Sequence, residues 1–150
     1  MNKMITDLLM KLQKEIRAAK QERLRIQSRS TRCTANYDYD CAAGGRSGHS
    51  DIVLDSVIAL EQIDLRICTL MIRRSSAYRF LEHALKDQDL LYTQTADAML
   101  MRYEDELKPA QIMKELDISR TYCFQLLQKG KTAVMRYESA HPDQVMCIIS

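Results

Sequence analysis

Apolar residues recur at Ile5, Leu12, Ala19 and Ile26, seven apart, with Leu9 and Ile16 in the companion places. This heptad seam predicts a helix over 3–28, roughly 39 Å long at 1.5 Å per residue. A second stripe alternates in threes and fours through Val53, Val57, Leu60, Ile63, Ile67 and Leu70, then Ala77, Leu81 and Leu85. No Gly or Pro interrupts 51–88, and Asp51 has a short side chain suited to the helix start. The stripe lapses only at Arg73-Arg74-Ser75-Ser76, where a bend is expected. Between the two helices, residues 29–50 are rich in Ser, Thr and Asp and hold three of the four Gly. That is longer than helix–helix connections usually are, and it reads as a flexible, metal-free loop. The two helices then fold back as an antiparallel hairpin over 1–90, with the remaining apolar surface serving self-association.

The pattern changes after residue 90. Thr93 or Thr95 can cap a helix carrying Ala96, Met99, Leu100 and Tyr103. Pro109 suits a first helical turn and opens a short helix through Leu116. Asp117-Ile118 makes a tight turn, and Ser119 caps a last helix to about Tyr137. Residues 139–150 read as a tail with a small apolar tip. The fold class is therefore all-α, a long helical hairpin followed by a three-helix domain at 91–138.

Composition supports this. Four Gly and two Pro are too few for the frequent turns of a sandwich or barrel. Five Cys at 33, 41, 68, 123 and 147 form an odd, irregular set. Met1 to Lys20 is charged throughout, unlike a secretory signal. The expectation is reduced thiols in a cytoplasm, and no apolar run is long enough for a bilayer. The net charge of +2 is uneven. Residues 1–32 hold nine Lys/Arg against three Asp/Glu, 33–107 seven against thirteen, and 108–138 six against three. Two basic segments thus flank an acidic middle, a distribution able to face phosphate at either end.

The most informative stretch is QIMKELDISRTYCFQLL, residues 111–127. In a helix-turn-helix the two helices cross steeply. Ile112, Leu116, Ile118, Cys123 and Leu126 have the spacing that fills the crossing. The outward face of the second helix then carries Arg120, Thr121, Phe124, Gln125 and Gln128. Arg and Gln can read base edges through paired hydrogen bonds, and Thr or Phe can touch a thymine methyl. Lys108, Lys129 and Lys131 are available to phosphates.

On these residues, 96–137 resembles the region-4 helix-turn-helix of bacterial sigma-70 factors. Arg102-Tyr103, Leu107-Lys108-Pro109 and Ile118-Ser119-Arg120 stand where that family has their counterparts. With the hairpin in front, the chain is similar to small phage and prophage late-gene regulators of the ArpU and RinA type. The resemblance implies that Ser119 starts a recognition helix and that Arg120, Thr121, Phe124 and Gln125 face the major groove. It implies double-stranded DNA as partner, a homo-oligomer, RNA polymerase as a further partner, and a nucleoid-associated protein of a bacterial or phage-infected cell. The turn usually has Gly, where this chain has Asp117.

Two other classes compete. A small terminase subunit of a packaging motor also joins a helix-turn-helix to a helical hairpin, and would form a ring. A pure interaction protein would bind RNA polymerase or another factor and no DNA. No catalytic constellation, phosphate loop or cofactor motif is present. Cys33, Cys41 and His49 have spacings that match no common zinc pairing. His83 reads as a helix-surface residue, His141 as tail, and the basic run Lys11 to Arg32 as a solvated face.

Overall fold

A computed structural model describes the backbone of residues 5–42 and 48–150, with side chains over 5–31 and 53–150. The described residues form six α-helices and no strand: α1 (Ile5–Ala42), α2 (Gly48–Asp87), α3 (Gln94–Tyr103), α4 (Pro109–Leu116), α5 (Arg120–Ala140) and α6 (Pro142–Ile149). The expected loop over 29–50 is corrected: helix runs on to Ala42 and resumes at Gly48. No Gly or Pro interrupts 5–42. Polar residues there adapt to the helix, as Thr31 shows by donating its hydroxyl to the Gln27 carbonyl at 3.0 Å. The side chains of Cys33, Cys41 and His49 lie outside the described residues. Helix α2 includes Arg73-Arg74-Ser75-Ser76 without interruption.

The chain divides into two compact units. One comprises Gln13–Ile72, the greater part of α1 and the first part of α2. Among the described residues Ile16, Ala19, Ile67 and Leu70 are its buried apolar ones. Arg23 Nε meets Asp64 Oδ1 at 2.6 Å, which ties the two helices together.

The other unit joins Met1–Leu12 to Arg73–Ser150. Its core takes Ile5 and Leu9 from α1, Ala77, Phe80, Leu81, Ala84 and Leu85 from α2, and Met99, Ile112, Cys123 and Val134 from α3, α4 and α5. Side-chain hydrogen bonds close it. The Ile5 N–H, first of α1, donates to the buried carboxyl group of Glu138, which supplies an acceptor where a helix N-terminus leaves a donor unsatisfied. Arg73 binds the carbonyls of Ile148 (3.1 Å) and Ile149, so the last residues pack as a helix and not as the expected tail. Arg74 binds the Glu104 carbonyl at 2.9 Å, and the Tyr78 hydroxyl donates to Glu104 Oε2 at 2.8 Å. Burial, reinforced by that carboxylate, pushes the Tyr78 phenol far above its ordinary value. The two arginines that break the apolar stripe are thus the anchors of α2 in this unit.

Helix ends here are made without glycine. Asp89, Tyr92, Glu106 and Asp117 all have left-handed φ, from 51° to 67°. At Asp89 the Leu90 N–H returns to the Leu85 carbonyl (2.9 Å) and the Asp89 N–H to that of Lys86 (3.1 Å). This closes α2 in the Schellman arrangement, with Leu85 and Leu90 both buried beneath it.

Candidate nucleic-acid interface

The short α4 is set by Pro109 at its first turn and by the Lys108 N–H, which donates to Gln111 Oε1 at 2.9 Å. It ends on Asp117 (φ 51°, ψ 52°), whose successor Ile118 donates its N–H to the Met113 carbonyl at 3.1 Å. The left-handed residue reverses the chain within three positions, and Ser119 Oγ accepts from the Tyr122 N–H at 3.2 Å to start α5. Ile112, Cys123, Leu126 and Leu127 are buried between α4, α5 and the core, with Leu116 and Ile118 partly buried beside them. The Tyr122 hydroxyl donates to Gln94 Oε1 at 2.9 Å, fixing the start of α5 against the start of α3. Cys123 is buried in this core, and burial raises its thiol pKa.

The opposite face of α5 is open. Arg120, Thr121, Phe124, Gln125, Gln128 and Lys129 line a groove of about 1010 Å³, which continues past Thr132 and Ala133 to Arg136. Gln88 and Leu90, at the end of α2, form its far wall. Three cations line it, and no Asp or Glu does among the described residues. The Arg120 guanidinium rests over the Phe124 ring, 5.7 Å from its centroid. Both side chains are exposed, so that contact is weak enough, about 0.5–1 kcal/mol, to be exchanged for another.

The structure brings six of the nine expected DNA-facing residues onto this groove and leaves three off it. Lys108 is exposed at the head of α4, Ser119 is committed to its cap, and Lys131 is half-buried beside the groove. Arg136 was legible in the same helical periodicity, one turn beyond Thr132. Gln88 and Leu90 were not, because only the fold places them there.

Among the described residues no three His, Cys, Asp or Glu gather as metal ligands, and no helix is long and apolar enough to cross a membrane. No family model matches the chain, and no curated protein or solved structure is significantly similar to it.

Proposed function

We propose that the protein is a sequence-specific DNA-binding transcriptional regulator of phage or prophage type. In this reading α4, the Asp117 turn and α5 are its helix-turn-helix, and the helix after Ser119 lies in the major groove. The observation that carries it is the acid-free face of α5, where Arg120, Lys129 and Arg136 frame Thr121, Gln125 and Gln128. Cations hold phosphates and give affinity without sequence; Arg and Gln amide groups read bases. Arg120 and Gln125 are about 7.5 Å apart along the helix axis, so they address different base pairs. Three cations give only a modest electrostatic contribution, which favours a self-associated protein bound at two sites. The pairing of α1 with α2 as a hairpin spacer, and contact with RNA polymerase, belong to the same proposal.

The test begins with DNA fragments selected from a random pool by the full chain. On the selected site, Arg120→Ala or Gln125→Ala should cost about 1–3 kcal/mol and relax sequence preference at one position. If both can be removed with affinity and preference intact, α5 is not a recognition helix and the regulator reading fails.

A further inference from the structure

The heptad residues Ile5, Leu9, Leu12 and Ile16 are buried within the chain and cannot serve a partner. A different strip faces solvent. On α2, within the unit Gln13–Ile72, the side chains of Leu54, Ile58, Leu65 and Ile72 are 57%, 44%, 70% and 69% exposed. Glu61 and Cys68, also exposed, fall between them. The six positions are spaced alternately by four and three, the register of a coiled-coil seam. At 100° per residue they lie on the side of α2 opposite Ile63, Ile67 and Leu70, whose stripe is turned inward. One helix thus carries two seams, and among the described residues only one of them is buried.

We propose that this second seam is a self-pairing surface, on which a second copy of the chain docks through the same strip in antiparallel orientation. The occupant must offer an apolar row in matching register. Among the described residues the outward face of α1 in the same unit does not, since Leu24 is exposed there among Arg17, Gln21, Arg25 and Ser28. The strip itself does, and a two-fold axis makes it its own complement. Glu61 decides the direction. In a parallel pair the two Glu61 carboxylates would face each other inside the seam, a like-charge contact that disfavours ionisation. In an antiparallel pair centred near Ile63, Glu61 faces Leu65 of the other copy, Ile58 faces Cys68, and Leu54 faces Ile72. The strip is about 27 Å long and 10 Å wide, flanked by exposed Val57 and Met71. That is below the roughly 800 Å² per partner of a standard interface, so the pairing is weak and depends on concentration.

Sedimentation of the full chain without DNA, from about 1 to 100 micromolar, tests this apart from the DNA-binding reading. A monomer–dimer equilibrium is expected, weakened at least about tenfold by Ile58→Asp with Leu65→Asp and unchanged by Leu24→Asp. Circular dichroism should show equal helix content, because all three positions face solvent. Independently, Ile58→Cys should form a disulfide with Cys68 of another copy under mild oxidation, identified by peptide mapping of mixed isotope-labelled chains. A monomer throughout that range would leave the strip to some other protein and overturn the proposal. So would equal weakening by Leu24→Asp, or cross-linking only between paired Cys68 residues.

Discussion

The Met99 side chain lies where a Cβ of residue 130 would be: one built on Gly130 would stand 2.3 Å from Met99 Cγ and 2.5 Å from its Sδ. Both residues are buried, and Gly130 leaves room on α5 for the Met99 side chain of α3. Glycine inside a helix usually costs about 1 kcal/mol relative to alanine. Here the crossing leaves no choice.

Gly130→Ala is therefore expected to destabilise the fold, because overpacking of about 1–3 kcal/mol exceeds the helix propensity regained. Met99→Ala alone leaves a cavity and should cost about 2–5 kcal/mol. The double variant should be more stable than the sum of the two predicts, by at least about 1 kcal/mol. Urea denaturation of all four proteins measures the coupling, and strict additivity would show that Met99 is not the obstacle.

Asp117→Gly should stabilise. A left-handed aspartate costs something even though its short side chain tolerates the conformation, and its negative charge sits at the unfavourable end of α4. Together these are worth about 0.5–1 kcal/mol, or a rise of a few degrees in melting temperature. Tyr92→Gly, at the third position of the turn Leu90–Thr93 and 95% exposed, should add a comparable gain, since that position demands positive φ. Asp117→Val should move the melting temperature the other way.

Burial raises the Glu138 carboxyl pKa, with the Ile5 N–H opposing and Asp7 assisting. Because its folded pKa lies above the unfolded one, ionisation weakens the fold. That loss develops as pH rises from the ordinary carboxylate range through the raised folded value. Glu138→Gln keeps an acceptor for the Ile5 N–H and carries no charge. It should melt higher than the wild type at pH 8, with the gain vanishing below about pH 4. Glu138→Ala, lacking the acceptor, should lose about 0.5–2 kcal/mol at either pH.

On DNA, the groove separates cations that the sequence alone groups together. Lys129→Ala and Arg136→Ala should each weaken binding to every sequence and reduce the slope of log affinity against log salt by about 0.9. Lys131→Ala, off the groove, should change it less. Titrations at several salt concentrations decide, and an effect of Lys131 equal to that of Arg136 would move the phosphate contacts off the groove.

Local chemistry made much of this legible. Pro109, Leu116 and Ser119 bound α4 and the start of α5 where the sequence places them, because caps and first-turn prolines act within a few residues. Ile5, Leu9, Leu12, Ile16 and Ala19 are all buried, since heptad spacing reports one helical face. Features set by distant partners were not legible. Residues 29–42 look like loop by composition, yet their backbone is helical. Arg73 and Arg74 look like a lapse until the carbonyls they bind are in view. The wall of the α5 groove depends on a left-handed aspartate at residue 89, a position whose neighbours in sequence do not mark it.

The discontinuous unit has a consequence for the order of events during synthesis. Ile5 and Leu9 leave the ribosome more than a hundred positions before Val134, which shares their core, and Glu138, which binds the Ile5 N–H. At 5–20 residues per second this is a wait of roughly 6–25 s. Throughout it the core around the first turns of α1 stays incomplete, lacking at least Val134 and Glu138, while residues 13–72 already have both their helices. The emerging chain must keep those apolar turns soluble until α5 arrives.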